Sequence, residues 1–123
     1  MSVRLRALVI LALTLATTVA RAKPFHCAGL TQREMNDCAY EELRRSEAAL
    51  GRALDAARAR LDGEERERLD LAEQAWEHFR DAECEARCWP SRSGSIYPML
   101  RALCRAGLAR ERTRSLAEFP VAP

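Results

Sequence analysis

Apolar side chains recur every three or four residues from Met35 to Leu61, and this spacing constrains the fold more than any other feature. The period places one apolar stripe along an α-helix and does not fit a strand, whose side chains alternate with a period of two. Thr31, followed three residues later by Glu34, has the form of a capping box, which starts a helix. We therefore predict a long first helix from Gln32 to Leu61.

The positions of glycine and proline predict two further helices. Gly63 suits the residue that ends the first helix. The second helix is expected from Glu64 to Arg87, because Trp89-Pro90 stops it. The third begins near Ser95, with Pro98 tolerated in its first turn.

The predicted fold class is all-α, because no stretch has the pattern of a strand. Short connections favour an antiparallel helix hairpin with the third helix packed into its groove. The expected architecture is a small antiparallel three-helix bundle with a long first helix, stapled by disulfides. The apolar residues at helical spacing form the expected core: Met35, Leu43, Leu50, Leu54, Leu69, Trp76, Phe79, Leu100 and Leu103.

The N-terminus has the form of a secretory signal peptide. Arg4 and Arg6 precede an apolar stretch over residues 7–19 that is short for a membrane span, which is the alternative interpretation. Ala20-Arg21-Ala22 fits the signal peptidase site. We predict a signal peptide over residues 1–22, one exported domain over residues 23–123, periplasmic or secreted, and no membrane segment after cleavage.

The charge of the exported part does not favour nucleic-acid binding. The whole chain carries 20 basic and 18 acidic side chains, a net charge of +2. Removing residues 1–22 removes three arginines and no acid, which leaves 17 basic against 18 acidic side chains and a net charge of −1. A nucleic-acid-binding domain is usually strongly basic.

Charge is nevertheless unevenly distributed. Residues 62–85 hold ten acidic and three basic side chains, whereas residues 86–123 hold two acidic and seven basic ones. One interpretation is that these segments face and neutralise each other. The alternative is an exposed acidic strip that meets a basic partner, formed by Glu64, Glu65, Glu67, Asp70 and Glu73.

All five cysteines lie in the exported part, where disulfides are the default. The odd number leaves at least one thiol unpaired or intermolecular. Cys84 and Cys88 are four residues apart, which is not a Cys-x-x-Cys redox motif. A metal- or redox-active protein that uses Cys84, Cys88, Cys104 and His78 stays an alternative, although we expect no metal and no cofactor.

An enzyme is not indicated. No serine has a Gly-x-Ser-x-Gly context, and neither His26 nor His78 has a nucleophile at an interpretable spacing.

The chain resembles the LprI-like family of secreted bacterial lysozyme inhibitors. The resemblance spans Cys27 to Leu116 and rests on the order and spacing of several short motifs. Ser93-Gly94 stands where the family often has a double glycine, and Ala109 where it often has threonine. The matching residues are Thr31-Gln32, Glu34-Met35-Asn36, Cys38-Ala39, Ala72, Gln74-Ala75-Trp76, Phe79-Arg80-Asp81-Ala82, Cys84, Gly94-Ser95, Cys104, Arg112 and Leu116.

The resemblance implies two disulfides, Cys27–Cys38 and Cys84–Cys104. Cys88 lies outside the family pattern and is the candidate free or intermolecular thiol, so the protein is expected as a monomer or a Cys88-linked dimer. One helical turn beyond Cys84, Cys88 could also compete for Cys104.

Two sets of residues are candidate sites. We expect a network of polar side chains between the helices, which either bond to one another or, as the alternative, form a binding site. Its members are Asn36, Gln74, Arg80, Asp81, Ser95 and Arg112. Trp76 and Phe79 fit packing better than ligand binding. Trp89 lies outside the apolar stripe, so Trp89, Arg92 and Tyr97 form the predicted partner contact.

The resemblance implies a non-catalytic binding protein whose partner is lysozyme or another envelope protein. A structural or envelope-stress module without a soluble ligand is the second alternative.

Overall fold

The structure is a computed structural model that describes Cys27 and residues 31–120. It contains α1 (Gln32–Ala59), α2 (Gly63–Cys88), a short 3-10 turn (Trp89–Ser91) and α3 (Tyr97–Ala117). No strand occurs in these residues, so the prediction of a three-helix all-α fold is confirmed. The predicted signal peptide and cleavage site lie outside the described residues. None of the helices described has the length and apolarity that a membrane span requires.

A capping box starts α1. The Glu34 amide donates to Thr31 Oγ1 at 3.3 Å, and the Thr31 amide donates to Glu34 Oε2 at 2.9 Å. This reciprocal pair satisfies backbone donors that the first turn leaves without helical partners. Behind it, α1 buries one stripe: Ala39, Leu43, Ser46, Leu50 and Ala57.

The boundary between α1 and α2 differs from the prediction. The first helix ends at Ala59, and Gly63 is the first residue of α2 rather than a C-terminal cap. Asp62 is the N-cap of α2: its carboxylate accepts the Glu65 amide at 3.0 Å, and Glu65 Oε2 accepts the Asp62 amide at 3.0 Å. This second capping box begins the helix at Gly63, which needs no left-handed conformation there.

Consecutive helices run antiparallel, so α1 and α3 run parallel. Hydrogen bonds join Asn36 to Ser95 near the start of both α1 and α3, and Arg60 to Leu116 near their ends. The Cys84–Cys104 disulfide joins the end of α2 to the middle of α3. The third helix packs mainly on α1 and less extensively on α2.

The core has two apolar clusters along the α1–α3 seam. One is formed by Ala39, Leu43, Ala102 and Ala106. The other is formed by Leu50, Ala57, Leu61, Leu69, Ala109 and Leu116. The small alanines let the helices approach closely, while Leu69 brings α2 into the second cluster.

Not every predicted core residue is buried. Leu43, Leu50 and Leu69 are buried, and the remainder apart from Phe79 are partly buried: Met35, Leu54, Trp76, Leu100 and Leu103. Phe79 is 53% exposed, so its assignment to the core was wrong. The inward face of α2 instead carries Glu73, Arg80 and Cys84, and Phe79 lies on another side of the helix.

Candidate partner-binding surface

One disulfide ties Cys27 to α1, and the other ties the end of α2 to α3. Cys27 bonds to Cys38, and Cys84 bonds to Cys104, each pair with Cα atoms 5.7 Å apart. These are the pairs that the family resemblance implies. Cys88 is a free thiol and is buried. Burial raises the pKa of the Cys88 thiol, and a buried, protonated thiol is poorly placed to join two chains.

The connection between α2 and α3 presents an exposed tryptophan and arginine. Trp89 is 52% exposed at the end of α2. The Arg92 guanidinium carbon lies 4.8 Å from the centroid of the Trp89 ring, and Arg92 Nη1 donates to the Trp89 carbonyl at 3.2 Å. Cation–π stacking and this hydrogen bond orient a cation on an apolar ring at the surface.

Tyr97 belongs to the packing between α2 and α3 more than to that surface. Its hydroxyl donates to Glu85 Oε1 at 2.6 Å, and the Arg101 guanidinium carbon lies 5.6 Å from its ring centroid. The hydrogen bond to Glu85 raises the pKa of Tyr97. The hydroxyl is therefore occupied within the protein, although the side chain stays partly exposed.

Asp81 lies at the centre of an ion-pair cluster that joins all three helices. Arg80 Nε donates to Asp81 Oδ1 at 2.9 Å, and Arg105 Nε lies 3.2 Å from the same oxygen. Glu47 Oε1 of α1 lies 3.4 Å from Arg105 Nη2 and 3.5 Å from Arg80 Nη1. The hydrogen bond from Arg80, together with the charges of Arg80, Arg105 and Arg101, lowers the pKa of Asp81.

The predicted polar network exists only in part. Arg112 pairs with Glu73 of α2, and Asn36 Nδ2 donates to the Ser95 carbonyl at 3.4 Å. Gln74 is exposed. The arginines of the set pair with glutamates and aspartates rather than with Gln74 or Asn36.

Three partners in these pairs were missed by sequence reasoning: Glu47, Glu85 and Arg105. The excess of basic side chains after residue 86 was the available signal, because such charges inside a bundle must find acidic partners.

The acidic and basic segments neutralise each other in part. Three ion pairs join α2 to α3: Glu85–Arg101, Asp81–Arg105 and Glu73–Arg112. The predicted acidic strip is therefore incomplete, since Glu73 is only 5% exposed. Asp70 pairs with Arg58 of α1 at 2.7 Å.

Two clefts of the described residues are small. Their volumes of about 170 and 290 Å³ fall below the usual volume of ligand pockets. No group of three or more His, Cys, Asp or Glu side chains in the described part of the chain is placed to hold a metal ion. Cys84 and Cys104 are consumed by their disulfide, and His78 is exposed on α2.

Comparison with known proteins places the chain in a family. A model of the lysozyme inhibitor LprI family matches residues 27–116, which begin at the first disulfide cysteine and end at the last buried leucine of α3. The chain belongs to the LprI family. Members of this family are exported inhibitors rather than enzymes, which agrees with a disulfide-stapled helical domain.

A distant relative agrees with this assignment. An uncharacterized protein of Rhizobium meliloti (strain 1021) is 30% identical over 103 residues, which span 73% of this chain and 74% of the relative. No solved structure matches this chain significantly.

Proposed function

We propose that this protein is an exported, non-catalytic inhibitor that binds lysozyme through the connection between α2 and α3. The observation that carries the proposal is the LprI family match across residues 27–116, which covers all three helices and both disulfides. Trp89 and Arg92 are the contact residues that the geometry supports best.

The chemistry of the target favours this surface. A lysozyme active site holds a pair of carboxylates in a cleft. A projecting loop that carries a cation can enter such a cleft and pair with them. Arg92 is exposed, and its stack on Trp89 reduces the conformational freedom that binding would remove. Trp89 adds an exposed aromatic side chain of the kind enriched at binding hot spots.

The cross-linked base of the loop supports the same role. The Cys84–Cys104 disulfide spans the connection, and the Tyr97–Glu85 hydrogen bond ties the start of α3 to α2 inside it. A loop held at both ends loses little entropy when it docks. The contact therefore depends on the oxidised protein.

A cell-wall lysis assay tests the proposal. Disulfide-intact protein is mixed with lysozymes of several classes at low and moderate salt, and inhibition of at least one is expected. Arg92→Ala and Trp89→Ala should each weaken inhibition at least tenfold, or about 1.4 kcal/mol. Arg68→Ala is the matched control, because Arg68 is an exposed arginine at the opposite end of α2.

The results of this assay test lysozyme as the target and the connection between α2 and α3 as the contact surface separately. Failure to inhibit any lysozyme at micromolar excess would reject the function and favour an envelope module without a soluble ligand. Inhibition that survives both substitutions would keep lysozyme as the target and reject the connection as the contact.

A further inference from the structure

The outward face of α2 carries an apolar stripe that no described element covers. Six residues repeat at alternating spacings of three and four, which is the seam pattern of a coiled coil. Every one of them is exposed, and Leu71 beside them is 59% exposed. We call this the α2 seam: Ala72, Ala75, Phe79, Ala82, Ala86 and Trp89, the last of which directly follows α2 with helical backbone angles.

The amphipathicity of α2 is partly inverted. Its buried side carries a glutamate and an arginine, Glu73 and Arg80, at 5% and 8% exposure. Its outward side carries Phe79 and Trp89, each more than half exposed. A helix that needed only to pack on α1 and α3 would place polar side chains outward. The seam therefore has the composition of an interface.

We propose that the α2 seam pairs with the α2 seam of a second copy of this chain, with the two helices antiparallel. This inference goes beyond the proposed inhibition of lysozyme and does not depend on it. A two-fold axis beside residues 80 and 81 sets each large seam residue against a small one. Phe79 then opposes Ala82 of the second copy, and Trp89 opposes Ala72 of the second copy.

This self-complementarity is the argument for a second copy as the occupant. Under the same axis Ala75 opposes Ala86, so the centre of each half of the seam is narrow and the helices can approach closely. The Phe79–Ala82 layer and the Trp89–Ala72 layer each occur twice by symmetry, as an isologous interface requires. A parallel pair would instead oppose Phe79 to Phe79 and Trp89 to Trp89.

Charge favours the antiparallel orientation as well. The first turns of α2 expose three glutamates against two arginines, whereas its last turn and the following connection expose Arg87 and Arg92. An antiparallel pair sets the acidic beginning of one α2 beside the basic end of the other. A parallel pair would bring the two acidic beginnings together.

The seam spans 18 residues, or ~27 Å of helix, so the interface belongs to the small, weak size class. Trp89 lies both in the seam and in the proposed lysozyme contact. Self-association and enzyme binding therefore compete for this ring, and dilution favours the form that binds lysozyme.

Sedimentation equilibrium on the disulfide-intact protein tests the pairing. The wild type is expected to form a dimer at roughly 100 μM, as weak interfaces of this size do. Ala82→Glu places a charge against Phe79 of the second copy and should raise the dimer dissociation constant at least about a hundredfold. Ala56→Glu is the control, because Ala56 is exposed on α1, and it should dimerise like the wild type.

Exchanging the large and small residues of one layer tests the register of the two paired helices. Ala82→Phe alone sets two large rings in one layer and should weaken the dimer. Adding Phe79→Ala restores one large and one small residue in each layer, so the double variant should dimerise again. All these positions are exposed in the monomer, and circular dichroism checks that each variant stays folded.

Three results would overturn the pairing. They are a wild type that stays monomeric to about 1 mM, an Ala82→Glu protein that dimerises normally, and a swapped double variant no better than Ala82→Phe. Lysozyme inhibition by Ala82→Glu is measured separately, because its loss or retention concerns the proposed function and not the dimer.

Discussion

Arg112 of α3 donates from Nε to Oε2 of Glu73 on α2 at 2.9 Å, and the two side chains are only 16% and 7% exposed. This ion pair lies in the interior of the bundle, where a lone charge would be costly. It joins α3 to the face of α2 that also buries Leu69 and Cys84.

Removing one member of this pair should destabilise the protein strongly. Arg112→Ala leaves the Glu73 carboxylate buried without its cation, and we expect a loss of about 3 kcal/mol in the free energy of unfolding. Glu73→Leu combined with Arg112→Met removes both charges and should cost much less. Urea unfolding measures both. Glu64→Gln, in an exposed ion pair with Arg68, is the control and should change stability by less than ~0.5 kcal/mol. Equal losses in the single and double variants would contradict this role.

Loss of the Cys84–Cys104 disulfide should lower stability by about 3 kcal/mol, since the bridge closes a loop of about twenty residues. Replacing both cysteines by alanine keeps the site apolar, so the loss reports the cross-link more than the packing. Thermal unfolding under non-reducing conditions is the measurement. The same replacement at Cys27 and Cys38 is the comparison, because that bridge ties only the lead-in to α1. A variant as stable as the wild type would show that the bridge is dispensable.

Cys88 should react slowly with thiol reagents in the folded protein. Burial raises the pKa of its thiol, and little of the reactive thiolate forms near neutral pH. Ellman's reagent should titrate one thiol per chain rapidly in urea and only slowly without it, with a folded-state rate that rises as pH rises. A non-reducing gel should show no cross-linked dimer. Rapid labelling of the folded protein would place the thiol at the surface instead.

The Asp81 cluster should contribute to stability at neutral pH and lose that contribution in acid. The pKa of Asp81 is lowered in the folded protein, chiefly by the hydrogen bond from Arg80. The contribution is therefore complete above the ordinary aspartate value of ~3.9 and is lost as pH falls through the lower folded value. Asp81→Asn should make stability less dependent on pH in this range. Gln74→Asn, a neutral change at an exposed site of α2, should keep the full acid dependence in urea unfolding measured from pH 7 downward.

Local features of the chain were readable before the structure. The stripe through Leu43 and Leu50 predicts α1, and the Thr31–Glu34 capping box predicts its first residue, because both depend on neighbours within one or two turns. Gly63 was misread as the end of α1, since Asp62 and Glu65 form a capping box of the same kind and start α2 there. The residues around Gly63 therefore fit both the end of α1 and the start of α2, and the sequence alone does not show which interpretation applies.

The exposure of Phe79 could not be predicted from its local sequence. Helical spacing identified it as apolar and periodic, but α2 carries two faces that meet this criterion, and periodicity does not say which of them α3 covers. That choice follows from the whole packing, in which α3 lies mainly on α1 and the Cys84–Cys104 bridge turns the face with Glu73 and Arg80 inward.

The sequence by itself determined the helices and their order, because helix propensity and capping act over short distances along the chain. Only the tertiary structure decided which charges pair and which apolar side chains remain in water. Glu47, Asp81 and Arg105 come from three different helices and meet only after those helices pack, since the distances between them depend on the crossing of the helices and not on their spacing along the chain.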